Sequence, residues 1–121
     1  MTALFIEYPP CSTCKKAKQY LKAKGIALEE RHIVESTPSV TELKRWLEDS
    51  RLDIKRFFNT SGKRYQSLNI KEKRASMSID EQLQLLSSDG MLIKRPIVII
   101  DQHVLVGFKI DEYDTLLRTL L

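Results

Sequence analysis

A short apolar segment that ends in two consecutive prolines is the feature of this sequence that most limits its fold. Residues 4–8 read as a buried strand, and Pro9 and Pro10 cannot continue the hydrogen-bond ladder of a sheet. Cys11 and Cys14 follow at once, separated by two residues. Because apolar residues recur at helical spacing from Cys14 onward, this turn must lead the chain from a strand into a helix.

The spacing of apolar residues predicts the elements beyond this turn. The first helix ends near Gly25, which is a suitable residue for the end of a helix. Capping-box sequences that begin at Ser39 and Ser78 predict two further helices. The remaining predicted elements are a strand at residues 26–34, a short helix at 52–58, strands at 97–100 and 104–108 joined by a turn at 101–103, and a final helix at 111–121.

The predicted order of elements is β-α-β, then helices, then β-β-α. This order is the plan of an α/β, thioredoxin-like fold, in which a mixed four-stranded sheet carries an inserted all-helical lobe. We therefore expect residues 1–36 and 91–121 to form the thioredoxin-like domain. Residues 37–90 are expected to form the inserted helical subdomain.

Composition excludes several classes of function. Hydrophobic residues make up 42% of the chain and charged residues 30%, which is typical of a soluble globular protein. No apolar run approaches the ~18 residues of a membrane span, and the N-terminus does not resemble a signal peptide, so we expect a cytoplasmic protein without membrane contact. The net charge of +4 is weak, and no DNA-binding motif is visible, so no direct contact with nucleic acid is expected.

The two cysteines are the candidate reactive groups. A thiolate at a helix N-terminus is stabilised by unpaired amide N–H groups and by the helix dipole, and Lys15 adds positive charge nearby. We therefore predict Cys11 as the nucleophile and the inward-facing Cys14 as the resolving thiol, with a Cys11–Cys14 disulfide as the oxidised state. The alternatives are two unrelated structural cysteines, or a zinc site, for which the chain lacks a second Cys or His pair.

Arg95 and Pro96 form the second informative string. They precede the predicted strand at 97–100, where thioredoxin-like proteins carry a cis-proline that faces the two cysteines. Arg95 would then project toward Cys11 and hold an anion beside it. The alternative is a basic pair that ends a loop before a trans-proline. His32 and His103 are interpreted as surface or structural residues.

Four strings, taken together and in this order, resemble the arsenate reductase (ArsC)/Spx family. They are residues 8–17 (YPPCSTCKKA), 34–39 (VESTPS), 59–62 (NTSG) and 95–98 (RPIV). The resemblance spans nearly the whole chain, and it implies a thioredoxin-like fold with a reactive cysteine at Cys11.

The family contains two functions. Its arsenate reductases use one cysteine to attack arsenate, which three arginines hold, and are then reduced by glutathione and glutaredoxin. Arg95 lies at one of the three arginine positions, and Asn59 and Gly107 lie at the other two. Its Spx-type regulators use a CxxC motif as a redox switch and bind the C-terminal domain of the RNA polymerase α-subunit.

On this basis we predict an ArsC-like, thiol-dependent arsenate reductase coupled to glutathione and glutaredoxin. The predicted catalytic residues are Cys11, Cys14 and Arg95, and the predicted anion-binding and supporting residues are Ser12, Thr13, Lys15, Asn59 and Pro96. The substrate is expected to be a small oxyanion or a thiol/disulfide, the protein partner glutaredoxin or thioredoxin, and no bound cofactor or metal ion is expected. The alternatives are an Spx-like regulator that binds the polymerase α-subunit and a glutaredoxin-like thiol–disulfide exchanger.

Overall fold

A computed structural model describes all residues from Met1 to Leu121, and they divide into two compact units. The first unit consists of Met1–Arg31 and Arg95–Leu121, and the second consists of His32–Lys94. Residues 32–36 and 91–94, which the sequence pattern assigns to the thioredoxin-like domain, fall in the second unit. There, Ile93 forms an isolated antiparallel bridge with Phe58.

The chain forms four strands, six α-helices and two short 3-10 helices. In chain order, these are β1 (Thr2–Glu7), α1 (Ser12–Ala23), β2 (Ala27–His32), α2 (Val40–Ser50), a 3-10 helix (Ile54–Phe57), α3 (Lys63–Ser67), α4 (Ile70–Arg74), α5 (Ile79–Ser88), a 3-10 helix (Gly90–Leu92), β3 (Ile97–Ile100), β4 (His103–Val106) and α6 (Ile110–Leu120). None of the helices is both long enough and apolar enough to cross a membrane.

The strands form one mixed sheet in the order β2-β1-β3-β4, which confirms the predicted fold class. Strand β3 pairs antiparallel with β1, where Leu4 faces Ile99, and antiparallel with β4, where Ile97 faces Val106. The core of the first unit packs around this sheet, and it includes Phe5, Leu21, Val98, Tyr113 and Leu117. Each of these side chains is at most 4% exposed, so the sheet is held by apolar burial on β1, β3, α1 and α6.

The hairpin between β3 and β4 is tighter than the sequence predicts. His103 is the first residue of β4 and pairs with Ile100, so the turn consists of Asp101 and Gln102 alone. Asp101 has a φ of 54°, a left-handed conformation that Asp tolerates better than most residues. A two-residue connection of this kind is the commonest link between antiparallel strands.

The second unit is helical, and both predicted capping boxes form in it. In α2, the amide of Glu42 donates to Ser39 Oγ at 3.1 Å, and the amide of Ser39 donates to Glu42 Oε1 at 3.0 Å. The helix predicted at 52–58 is a shorter 3-10 helix instead. Asp53 accounts for this difference, because its Oδ1 accepts the Lys55 amide at 2.8 Å and favours a tight turn over an α-helix.

Candidate active site: a thiol pair at the start of helix α1

The turn after β1 sets the position of Cys11. Its amide donates to the carbonyl of Tyr8 at 2.9 Å, and its carbonyl accepts from the amide of Lys15 at 3.2 Å. Cys11 is therefore the N-cap residue of α1, with extended backbone angles of φ −75° and ψ 123°. Its side chain is half-buried, whereas Cys14, one turn further on, is fully buried.

The environment of Cys11 favours its thiolate. Partial burial alone would raise the pKa of the thiol, but hydrogen bonds from the Cys14 amide, the Cys14 thiol, the Arg95 guanidinium and the Thr13 amide outweigh it and lower the pKa. The uncharged Cys11 side chain makes no hydrogen bond that caps helix α1. These donors act chiefly on the charged sulfur, as the exposed amides of a helix N-terminus do.

Cys14 has the opposite character. Burial, reinforced by the hydrogen bond and negative charge of Cys11, raises its pKa to about 12, while the Tyr8 amide and the charge of Arg95 offset only part of this rise. Cys14 is therefore a protonated thiol at neutral pH. Both cysteines are free, so the structure represents the dithiol state and contains no Cys11–Cys14 disulfide.

Arg95 lies beside the thiols. The Arg95–Pro96 peptide bond is cis, as expected from the sequence, and Pro96 is buried. The carbon of the Arg95 guanidinium lies 5.1 Å from the centre of the Tyr8 ring, a cation–π distance. Tyr8 therefore contacts the same guanidinium that lowers the pKa of Cys11. The sequence pattern assigns no role to Tyr8, although this residue is part of the YPPC string.

Two further hydrogen bonds connect Pro96 to Gly107 and Gly107 to Tyr113. The amide of Gly107 donates to the Pro96 carbonyl at 2.8 Å, and the Tyr113 hydroxyl donates to the Gly107 carbonyl at 2.7 Å. Gly107 is buried and has a φ of 77°, a conformation that glycine adopts far more readily than other residues. Gly107, which the resemblance in sequence aligns with an arginine of the family's reductases, thus offers no side chain to the site.

The remaining predicted residues lie in two places. Ser12, Thr13 and Lys15 belong to the first turn of α1, where Ser12 and Lys15 are exposed and Thr13 is half-buried. Asn59 belongs to the second unit, where its amide donates to the Leu92 carbonyl at 2.8 Å. The structure thus gathers Cys11, Cys14, Arg95 and Pro96 within one unit, and the role of Asn59 stays a prediction.

No histidine or acidic residue is among the causes that shift the pKa values of Cys11 and Cys14. His32 Nδ1 accepts the amides of Val34 and Glu35, each at 3.1 Å, and so fixes the turn after β2. This contact gives His32 a structural role at the end of β2. Nowhere do three or more His, Cys, Asp or Glu side chains come together as a metal site requires.

Proteins of known sequence show the same pattern along almost the whole chain. A sequence model of the ArsC family matches residues 6–116. The YusI protein of Bacillus subtilis is 54% identical over 114 residues, which cover 94% of this chain and 97% of YusI. The global transcriptional regulator Spx of the same organism is 30% identical over 104 residues, which cover 86% of this chain and 78% of Spx.

Solved structures agree with this pattern in three dimensions. An ArsC-family-related protein from Bacteroides fragilis has a TM-score of 0.91 and 46% identity, and the match covers 96% of this chain and 98% of that one. The arsenate reductase from Vibrio cholerae has a TM-score of 0.78 and 27% identity, and covers 86% of this chain and 87% of its own. With its CxxC turn, its sheet and the extent of these matches, the chain belongs to the ArsC family.

Proposed function

We propose that this protein is a thiol-dependent reductase in which Cys11 attacks the substrate and Cys14 resolves the product. One observation supports this proposal above the others. The amides at the α1 N-terminus and the Arg95 guanidinium lower the pKa of Cys11, while Cys14, one turn further on, remains a buried thiol. A stabilised thiolate next to a protonated thiol is the arrangement that a nucleophile and a resolving thiol need.

Arsenate is the substrate that we propose for this pair. The Cys11 thiolate attacks arsenic and displaces one oxygen, which leaves as water, and Arg95 balances the negative charge of the oxyanion. Cys14 then loses its proton and attacks the Cys11 sulfur. The electron pair of the S–As bond passes to arsenic, which changes from As(V) to As(III). One arsenate and two thiols thus give one arsenite, one disulfide and one water.

The Cys11–Cys14 disulfide must then be reduced before another turnover. We propose that glutathione supplies the electrons through glutaredoxin, so that two glutathione thiols become one glutathione disulfide and the protein regains its dithiol. The α1 N-terminus offers an entry point for this exchange, because Ser12 and the two prolines before Cys11 are exposed. A reducing cytoplasm is the compartment in which such a cycle operates.

The first experiment measures arsenate-dependent oxidation of NADPH, coupled through glutathione, glutaredoxin and glutathione reductase. We expect turnover by the wild type, none by Cys11→Ser, and unchanged turnover by Lys22→Gln, an exposed position on the same helix. Absence of turnover by the wild type would contradict an arsenate reductase. If the wild type instead reduces a generic mixed disulfide without any oxyanion, the protein is a thiol–disulfide exchanger.

A redox-switched regulator is the second candidate, and the residue at position 107 favours it. Gly107 supplies no charge to an oxyanion, so Arg95 is the one arginine of the family's three positions that this chain retains. The similarity to the regulator Spx is in accord with this function. Its test is binding of the reduced and the oxidised protein to the C-terminal domain of the polymerase α-subunit. Binding that survives Cys11→Ser would indicate a binding module, and no binding in either state would exclude this candidate.

A further inference from the structure

Tyr113 on α6 is a buried residue to which the reaction assigns no role. Its side chain is 0% exposed, and its ring packs edge-on against Phe108 and Tyr20, with ring centres 4.8 and 5.9 Å away. The ring accounts for the apolar packing of this position, but packing alone does not require a hydroxyl. A phenylalanine would supply the same contacts, so the hydroxyl must be explained by what it binds.

The hydroxyl begins a short chain of hydrogen bonds that leads to the thiol site. It donates to the Gly107 carbonyl at 2.7 Å, and the Gly107 amide donates to the Pro96 carbonyl at 2.8 Å. Both backbone groups of Gly107 are thus engaged, one with α6 and the other with the residue after Arg95. Because Gly107 is buried, its carbonyl would lack a compensating water if the hydroxyl were removed.

We propose that Tyr113 is a positioning residue that, through Gly107, holds the Arg95-Pro96 segment where the Arg95 guanidinium reaches the Cys11 sulfur. This role rests on the proposed function, in which Cys11 is the nucleophile. Tyr113 touches no reacting atom in this scheme. It determines where Arg95 stands, and Arg95 in turn favours the thiolate.

The state of the hydroxyl suits this role. Burial raises the pKa of the Tyr113 phenol, and the negative charge of Glu112 adds to this rise. The hydroxyl therefore keeps its proton and remains a donor to Gly107 throughout the pH range in which Cys11 ionises.

The test compares Tyr113→Phe with Tyr20→Phe. Tyr20 is a matched control because it belongs to the same aromatic cluster and its hydroxyl donates to Asp114, away from Gly107. The rate of Cys11 alkylation by iodoacetamide is measured from pH 5 to pH 9.5, with the modified residue identified by mass spectrometry. In Tyr113→Phe we expect the midpoint of the profile to rise by about half a pH unit, which lowers the rate on its acidic side about threefold. In Tyr20→Phe the midpoint stays in place.

A double variant tests whether the effect passes through Arg95. In an Arg95→Gln background, Tyr113→Phe should shift the profile no further, because the group that it positions is absent. Hydrogen exchange at the Gly107 amide supplies a second measurement, and it should accelerate in Tyr113→Phe but not in Tyr20→Phe. Superimposable profiles for the two single variants would overturn the inference, as would an undiminished shift in the Arg95→Gln background.

These outcomes separate the inference from the proposed function. Alkylation requires no substrate and no reductant, so it reports on Tyr113 whether or not arsenate is reduced. A wild type that fails to reduce arsenate, together with the expected shift in Tyr113→Phe, would remove the arsenate proposal and keep the positioning role. Normal arsenate turnover with an unshifted alkylation profile in Tyr113→Phe would keep the arsenate proposal and remove the positioning role.

Discussion

At the scale of single residues, the two cysteines differ because they meet different donors. Amides and a guanidinium lower the pKa of Cys11, whereas burial and the charge of Cys11 raise the pKa of Cys14 and outweigh its own donors. On balance, the surroundings of Cys11 stabilise its thiolate, whereas those of Cys14 destabilise its thiolate. The pair is therefore asymmetric before any substrate arrives, and the direction of attack follows from this asymmetry.

Replacing Arg95 by Gln should make Cys11 less reactive at neutral pH. The lowered pKa of Cys11 means that its thiolate forms at a lower pH than that of an ordinary cysteine. Loss of the guanidinium raises that value, so the rate of Cys11 alkylation at pH 7 should fall about threefold to tenfold, and recover at high pH. Lys22→Gln, which removes an equal charge from an exposed position on α1, is the control. Equal rates for the wild type and Arg95→Gln across all pH values would contradict the role of Arg95.

The sequence identifies the reactive residues but not the residues that support them. Cys11, Cys14 and Arg95 stand in strings with a recognisable chemistry, and the structure places the three in one unit. Tyr8 and Tyr113 are different, because an aromatic residue in an apolar pattern is normally core. Their roles arise from a cation–π contact and from a hydrogen bond between separate elements, and neither leaves a spacing in the sequence.

At the scale of elements, an ion-paired lysine fastens α1 to the sheet. Lys18 Nζ lies 2.9 Å from Glu7 Oε1 on β1 and 3.1 Å from Glu30 Oε1 on β2. Burial alone would lower the pKa of Lys18, but the two carboxylates prevail and raise it. The resulting stabilisation is complete below the pKa of an unfolded lysine and is lost as pH rises through the higher value of the folded state. Lys18 thus stays charged throughout the neutral range.

Lys18→Met should destabilise the protein by about 2 kcal/mol or more at pH 7. It leaves the carboxylate of Glu7, whose side chain is only 6% exposed, without its cation. Removing one partner of a fully buried pair costs about 3–5 kcal/mol, and solvent at the one-quarter exposed Lys18 reduces this value. Urea unfolding monitored by circular dichroism measures the change. Lys22→Met on the exposed face of α1 should stay within about 0.5 kcal/mol of the wild type, and an equal loss for both variants would contradict the pair.

Ser39→Ala should destabilise the second unit by about 1 kcal/mol, because the Ser39 Oγ satisfies the Glu42 amide at the start of α2. Trp46 is the only tryptophan, lies on α2 and is 6% exposed, so its fluorescence during urea unfolding reports on this unit. Ser61→Ala, in an exposed turn of the same unit, is the matched control. Unfolding midpoints that coincide for the two variants would mean that the cap contributes nothing.

At the scale of the whole molecule, the two units are built differently along the chain. The second unit is one continuous segment, whereas the first is closed by pairing β1 with β3 from opposite sides of that segment. The order of the elements can be predicted from the sequence, because it depends on local periodicity and on caps. The boundary between the two units, near residues 32–36 and 91–94, cannot be predicted in this way. It depends on which distant parts of the backbone these residues pack against.

This construction predicts an order of unfolding. If the second unit unfolds, the connection between β2 and β3 becomes a long flexible loop, and the entropy cost of keeping the first unit closed rises. The first unit should therefore unfold at a urea concentration no higher than the one that unfolds the second unit. In a Cys11→Ser variant, pulse alkylation of the buried Cys14 should reach its midpoint at a urea concentration no higher than that of the Trp46 fluorescence change. A Trp46 transition that clearly precedes exposure of Cys14 would contradict this order.

The backbone at Gly107 also bears on how such a protein could change its activity over evolutionary time. A side chain at this position would strain a left-handed backbone and disturb a buried segment whose amide and carbonyl are both engaged. Placing an arginine at position 107 would therefore cost stability, which substitutions elsewhere in the β4–α6 connection would have to offset. Under the proposed function, a change from one arginine to several at this site would pass through less stable intermediates. A lineage with this glycine thus meets a cost in stability before it can add a second guanidinium at this position.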